Sequence, residues 1–159
     1  MAKEHHYQAE IIWTGNRGLG TSSYQEYDRS HLIRVSGKPD WEASSDVPFR
    51  GDGSKYNPED MLLISLSSCH MLWYLHLCAD AGVIVMDYRD EASGTLQMGE
   101  GGKGRFSEVI LRPRVKVSRA DMVEQANALH QKAHEFCFIA NSVNFPVLQE
   151  PKAFHTVWV

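Results

Sequence analysis

The chain has 159 residues, of which 43% are hydrophobic and 23% are charged, a balance typical of a globular protein. Its formal net charge of −4 and the lack of any lysine- or arginine-rich run argue against a nucleic-acid partner. The first residues lack the charged and then apolar pattern of a secretion signal, and three cysteines do not suit a disulfide framework, so we expect a cytoplasmic protein.

Apolar and glycine patterns predict the elements in chain order. Single strands are predicted at 6–14, 83–99 and 105–118. One or two strands are predicted within 24–36, and one or two within 145–159, broken at Glu150-Pro151. The glycine-rich segments 15–20 and 99–104 predict turns, and residues 37–56 predict a loop. With the two helices described next, this order predicts a single α+β domain over residues 1–159, built on antiparallel sheet.

The first helix is predicted from Pro58 to about Ala81. Asn57 can cap its start, proline suits the first helical position, and Gly82 can end it. Residues 61–79 contain no charged side chain, but serines and histidines lie among them, so we expect a buried helix and no membrane span. Because this helix is apolar on nearly every face, it needs cover on every face. We therefore expect a homodimer whose partner subunit supplies part of that cover.

The three cysteines differ in their predicted positions. Cys69 lies in the middle of the first helix, among apolar neighbours, and would need a cation or hydrogen-bond donors to become a nucleophile. Cys137 lies near the end of a second helix, predicted from about Ala120 to Ala140, with His134 one turn earlier. Cys78 follows Cys69 by two and a half helical turns, so it points away from Cys69 and is expected in the core.

A metal site is the competing interpretation of the second helix. His130, His134 and Cys137 are spaced i, i+4, i+7, which puts them on one face, and Cys69 could add a fourth ligand. However, no glutamate follows His130 as a zinc hydrolase requires, and the chain has no Cys-x-x-Cys pair. Two histidines spaced this way on an amphipathic helix are expected to be solvated.

Three segments together resemble the OsmC/Ohr family of osmotically inducible and organic hydroperoxide resistance proteins. They are the turn Trp13-Thr14-Gly15-Asn16-Arg17-Gly18-Leu19-Gly20-Thr21, the helix start Asn57-Pro58-Glu59-Asp60 with Ser68-Cys69-His70 beyond it, and the cysteine late in the next helix. The resemblance covers essentially the whole chain. Because Cys137 is followed by Phe138 and not by proline, the chain resembles an OsmC-like branch of the family.

The resemblance implies an OsmC-like fold, with antiparallel sheets around a long buried central helix, in an intertwined homodimer. It implies a peroxidase that needs no cofactor and reduces organic hydroperoxides. Cys69 would form a sulfenic acid and then a disulfide with Cys137, which a dithiol reductant such as a lipoyl protein reopens. Arg17 would stabilise the thiolate and Glu59 would orient Arg17.

Two further hypotheses follow from these residues. Glu59 precedes Cys69 by ten residues, roughly 15 Å along a helix, so either Arg17 spans a long gap or the thiolate that it serves belongs to the partner subunit. We favour the second arrangement, because the apolar helix already argues for an interface there. A non-catalytic thiol sensor or a ligand-binding OsmC-like protein is the alternative to the peroxidase.

Overall fold

The computed structural model describes residues 2–156. The chain divides into two compact units, Met1–Met61 and Leu62–Val159. The helices are α1 (Pro58–Asp80) and α2 (Val123–Phe136). The strands are β1 (Glu10–Trp13), β2 (His31–Arg34), β3 (Trp41–Ala43), β4 (Val85–Asp90), β5 (Ser93–Met98), β6 (Gly104–Leu111), β7 (Pro113–Val117), β8 (Val147–Gln149) and β9 (Lys152–Phe154). The α+β class is confirmed, whereas the single domain over residues 1–159 stays a prediction.

The first unit is an antiparallel sheet in the order β1-β2-β3. The turn predicted after β1 is confirmed, and its glycines are required by the backbone. A Cβ atom at Gly15 would lie 1.8 Å from the carbonyl oxygen of Asp28, and Gly18 has φ of 111°. The Asn16 side-chain oxygen accepts hydrogen bonds from the N–H groups of Gly18, at 2.9 Å, and Gly20, at 3.0 Å. This turn therefore has a defined conformation.

Two predictions for the first unit are wrong in their limits. Residues 24–30 are not a strand, because the guanidinium of Arg29 lies over the rings of Tyr24, at 4.3 Å, and Tyr27, at 4.0 Å, and holds a compact loop. The segment expected to be a loop contains β3, which pairs with β2. The ring of Trp41 in β3 packs on Tyr56 with centroids 4.9 Å apart, so an aromatic contact with a residue outside the strand fixes a strand too short to recognise by alternation.

The second unit has two three-stranded sheets, in the orders β4-β7-β9 and β5-β6-β8. The single strand predicted over 83–99 is wrong, because the chain turns after Asp90 and forms two strands. The Asp90 carboxylate accepts hydrogen bonds from Ser67 Oγ and from the N–H of Arg112, both at 2.6 Å. The 99–104 hairpin is confirmed as β5–β6. The β6–β8 and β7–β9 pairs are parallel, so the sheets are mixed and not purely antiparallel. The chain returns through α2 before β8, and such a crossover permits parallel pairing.

Helix α1 has the predicted boundaries. Asn57 Oδ1 accepts a hydrogen bond from the N–H of Asp60 at 2.8 Å, Asp60 Oδ2 accepts one from the N–H of Asn57 at 3.2 Å, and Gly82 after the helix has φ of 74°. By length and composition α1 could cross a membrane, but the core helix of a globular protein meets the same criteria, so this is weak evidence. Only Leu66, His70, Tyr74, Leu77 and Cys78 of its 23 residues are buried.

Helix α2 is shorter than predicted. A 3₁₀ turn over Ala120–Met122 precedes it, and Cys137 follows it in an extended conformation with φ of −66° and ψ of 109°. Its buried residues, Ala126, His130 and Ala133, are spaced by four and three positions and form one stripe. The hydroxyl of Tyr74 in α1 donates to the carbonyl oxygen of Ala126 at 3.0 Å. This stripe therefore faces α1.

Candidate active site

Cys69 and Cys137 are brought together where α1 passes the end of α2. Both are free thiols, and Cys69 lies close enough to Cys137 to influence the pKa of the Cys137 thiol. Cys69 is partly exposed, whereas Cys137 is only 1% exposed. Solvent therefore reaches part of Cys69 and almost none of Cys137.

Burial is the main influence on the Cys137 thiol and raises its pKa to about 11. The nearby Cys69 raises the pKa further, while the backbone N–H of Ala140, 3.5 Å from the sulfur, acts in the opposite direction. The residue is held in place because its carbonyl oxygen accepts a hydrogen bond from the N–H of Asn141 at 3.0 Å. Cys137 is therefore a fixed, protonated thiol at neutral pH.

An aromatic cluster, formed by Trp73, Phe136 and Phe138, lies beside the two cysteines in sequence. Trp73 is one helical turn after Cys69, and the two phenylalanines flank Cys137. The Trp73 ring lies 5.1 Å from the ring of Phe136 and 5.4 Å from that of Phe138, measured between centroids. Phe138 is 65% exposed, so apolar surface is available next to the thiols.

Cys78 lies in the core, as its helical spacing predicts. It is 1% exposed and belongs to the apolar cluster that includes Tyr74 and Leu77. Burial raises the pKa of its thiol, which makes it a poor nucleophile. Cys78 is thus separated from the Cys69–Cys137 pair by its place in the fold.

A buried histidine pair links the two helices, and sequence reasoning did not find it. His70 Nε2 and His130 Nδ1 are 2.9 Å apart, and both residues are only 1% exposed. The ring of Tyr74 stacks on His130 with centroids 3.8 Å apart. His130 was expected to be solvated; this is wrong because it belongs to the buried stripe of α2. The four- and three-residue spacing with Ala126 and Ala133 was the available signal.

Both imidazoles are neutral in the folded protein. Burial lowers the pKa of His70 to about 4, and His134 nearby lowers it further. Burial lowers the pKa of His130 to about 3, with a smaller effect from His70. Three buried ring nitrogens, His70 Nδ1, His130 Nε2 and His134 Nδ1, have no hydrogen-bond partner among the described residues.

The metal site proposed for α2 does not form. Among residues 2–156, no group of three or more His, Cys, Asp or Glu side chains is placed to hold a metal ion. His130 Nδ1 is already engaged with His70 Nε2 at 2.9 Å, so that nitrogen is not free to bind a metal. The position of His130 in this i, i+4, i+7 series is explained by its packing against α1 and not by metal binding.

Arg17 and Glu59 lie in the first unit. Arg17 donates hydrogen bonds to the carbonyl oxygens of Gln25 and Glu26 and lies 3.9 Å from a carboxylate oxygen of Asp28. Within the described part of this unit, no ion pair joins Arg17 to Glu59, which lies in the first turn of α1. The roles implied for these two residues stay predictions.

Comparison with known proteins connects this site to a family. Residues 51–150 match the family model described as OsmC-like protein. The structure is similar to an OsmC-like protein of unknown function from Vibrio cholerae, at 32% identity and a TM-score of 0.83, covering 93% of this chain and 99% of the other. The uncharacterized protein YmaD of Bacillus subtilis is 25% identical over 88% of this chain and 87% of its own length.

The organic hydroperoxide resistance protein OhrB of Bacillus subtilis has a similar fold. It is 21% identical to this chain, with a TM-score of 0.62 over 92% of this chain and 98% of its own. The matched segment of the family model includes the start of α1 and both paired cysteines. The predicted resemblance is confirmed, and the chain belongs to the family of OsmC-like proteins.

Proposed function

We propose that the protein is a thiol peroxidase that reduces organic hydroperoxides with Cys69 and Cys137. The observation that carries this proposal is the proximity of a partly exposed thiol to a buried one. The difference in exposure suits two different roles, in which the partly exposed Cys69 reacts with the substrate and the buried Cys137 reacts with Cys69 afterwards. Organic hydroperoxide resistance proteins such as OhrB share this fold.

The proposed reaction has two steps that balance without a metal or flavin. In the first, the Cys69 sulfur attacks the terminal peroxide oxygen, the O–O bond breaks, and the products are Cys69 sulfenic acid and an alcohol. In the second, the Cys137 sulfur attacks the Cys69 sulfur, the S–O bond breaks, and oxygen leaves as water. The disulfide holds the two oxidising equivalents until a dithiol reductant, such as a lipoyl protein, removes them.

The aromatic cluster favours alkyl or aryl hydroperoxides over hydrogen peroxide. Each methylene that such a substrate buries against apolar surface contributes roughly 0.8 kcal/mol to binding. Hydrogen peroxide has no carbon chain and gains nothing from Trp73 or Phe138. A bulky apolar peroxide is therefore the proposed substrate class.

We also propose that the protein acts as a cytoplasmic homodimer. Leu72 is 63% exposed and Ile64 is 42% exposed on α1, although both are large apolar residues. A second copy that covers this face would bury them. Arg17, oriented by Glu59, is the proposed stabiliser of the Cys69 thiolate, because a thiol among apolar neighbours needs a cation to ionise and the family resemblance implies an arginine in that role.

The test is the consumption of cumene hydroperoxide by reduced protein, followed by peptide mapping. We expect the loss of two thiols per chain and a Cys69–Cys137 disulfide, with turnover when dihydrolipoamide is present. The alternative function, a non-catalytic thiol sensor, would give the same disulfide with no turnover under any dithiol. Unchanged thiols after excess peroxide would contradict both functions.

A further inference from the structure

The geometry points to a second ligand site in the second unit. We infer that a cavity between α2 and β8 binds an uncharged, planar heterocycle with neighbouring hydrogen-bond donors and acceptors on its ring, as in a nucleobase. The cavity has a volume of about 440 Å³, in the range of small-molecule sites, and its lining includes His130, His134 and Leu148. This inference goes beyond the proposed peroxidase reaction and involves neither Cys69 nor Cys137.

His130 is the buried polar group at this cavity. It belongs to the lining although it is only 1% exposed. Its Nε2 has no hydrogen-bond partner among residues 2–156, and the same holds for the buried Nδ1 of His134, one turn further along α2. A polar atom that is buried without a partner is unfavourable, so a ligand that hydrogen-bonds to these nitrogens is stabilised.

The contacts of the His130 ring show which side of it is left for the cavity. His130 Nδ1 and His70 Nε2 are 2.9 Å apart, and the two rings are within 8° of parallel with centroids 5.3 Å apart. The centroid distance equals the N–N distance plus the two ring radii, so the rings lie edge to edge and Nδ1 points directly at His70. Tyr74 covers one face of the same ring, with centroids 3.8 Å apart. Nε2 lies on the ring edge remote from His70, which faces away from α1.

Two amide side chains at the cavity supply a donor and an acceptor. Asn127 and Gln131 line the cavity one helical turn apart. Asn127 Oδ1 accepts a hydrogen bond from the N–H of Ala153 at 2.8 Å, and Gln131 Nε2 donates to Glu135 Oε1 at 3.4 Å. Within residues 2–156, these bonds leave the NH₂ group of Asn127 as a donor and Oε1 of Gln131 as an acceptor.

The imidazole pair can offer either a donor or an acceptor to the ligand. When His70 Nε2–H donates to His130 Nδ1, the proton of His130 is on Nε2, which is then a donor. When His130 Nδ1–H donates to His70, Nε2 carries a lone pair and accepts. Burial lowers the pKa of His130 to about 3, so the ring is neutral and both tautomers are available.

The composition of the lining selects the ligand. The described lining contains no Asp, Glu, Lys or Arg, so a charged ligand would lose hydration without meeting an opposite charge. Carboxamide and imidazole groups match the edge of a planar ring on which donors and acceptors alternate. Val147, Leu148 and Pro151 supply apolar surface for the faces of that ring. A purely apolar ligand would leave the buried nitrogens unpaired.

Uracil is the probe for the test, because N–H donors and carbonyl acceptors alternate around its ring. The matched ligands are N,N′-dimethyluracil, which has no N–H, and orotate, the charged carboxylate of uracil. Isothermal titration calorimetry measures affinity, and NMR of protein with isotope-labelled histidine follows the His130 Nε2 resonance. Leu148→Trp fills the cavity from a position that is 46% exposed. Thr95→Trp, exposed on the opposite edge strand of the same sheet, is the matched control.

We expect uracil to bind with a Kd of about 1 mM or below and to shift the His130 Nε2 resonance. N,N′-dimethyluracil and orotate should bind at least about tenfold more weakly, because the first leaves buried polar groups unpaired and the second buries a charge. Leu148→Trp should weaken uracil binding at least about tenfold by overlap with the ligand, whereas Thr95→Trp should not change it. Gln131→Ala, at an exposed position, should cause a loss of about tenfold and serves if Leu148→Trp does not fold.

Equal affinity for uracil and N,N′-dimethyluracil would overturn the inference. So would uracil binding that leaves the His130 Nε2 resonance unchanged, or that persists in Leu148→Trp and Gln131→Ala. The absence of both heat and a resonance shift at about 20 mM uracil would also overturn it. A failure of the proposed peroxidase function is a separate result, because these measurements contain no peroxide.

Discussion

Acidification should destabilise the protein through the buried histidine pair. The unfolded chain binds protons at His70 and His130 below pH 6.5, whereas burial lowers the pKa values of these residues in the folded protein to about 4 and about 3. Between those values the unfolded state binds more protons, so stability rises with pH. The contribution is complete above pH 6.5 and is lost as the pH falls toward 4.

The loss in the free energy of unfolding depends on how far the pH lies below the pKa of histidine in the unfolded chain. A pH of about 5 is roughly 1.5 units below the ordinary pKa of histidine. Protonation of the unfolded chain at that pH lowers the free energy of unfolding by about 2 kcal/mol for each histidine. Together they remove about 4 kcal/mol, a large part of the 5–15 kcal/mol that holds an ordinary domain folded. The result depends little on the folded pKa values, because both lie well below 5.

Urea unfolding at about pH 7.5, 6.0 and 5.0, at one protein concentration, measures this loss. The double variant His70→Gln/His130→Asn should be less stable at neutral pH but should lose far less stability on acidification. Hydrogen bonds from neighbouring side chains also lower the pKa values of Asp40, Asp52 and Asp121, and because these groups are present in both proteins, the difference between the two isolates the histidine contribution. The same loss of stability in the wild type and in the double variant would refute the reasoning.

Three further predictions concern the thiols and the subunit contact. Cys137→Ser should accumulate a dimedone-reactive sulfenic acid at Cys69, while Cys78→Ser should still form the Cys69–Cys137 disulfide. Mass spectrometry measures both products, and a disulfide that includes Cys78 would contradict the assignment. Arg17→Lys should slow the first oxidation by about 10- to 100-fold, the value of a hydrogen bond to a charged group, and a mixed dimer of Arg17→Ala and Cys69→Ser chains should keep one active site if sites cross the interface. Leu72→Asp should shift sedimentation from dimer to monomer, and an unchanged dimer would place the interface elsewhere.

The sequence alone was sufficient to predict the local features of the fold. The limits of α1 follow from Asn57, Pro58 and Gly82, which act within one or two turns of their own positions. The conformation of the Gly15–Gly20 turn and the β5–β6 hairpin also depend on neighbouring residues. The core position of Cys78 follows from helical periodicity.

Tertiary packing decided the rest. His70 and His130 are 60 residues apart, and each has only apolar or small residues as helical neighbours on its buried face, so nothing local pairs them. The division of 83–99 between two sheets depends on Asp90, whose partners Ser67 and Arg112 lie 23 and 22 residues away. Hydrophobic periodicity states that a side chain is buried but not what it is buried against. The contact of α1 with α2 supplied that information, because it joined His70 to His130, a candidate metal ligand by sequence, in one hydrogen-bonded pair.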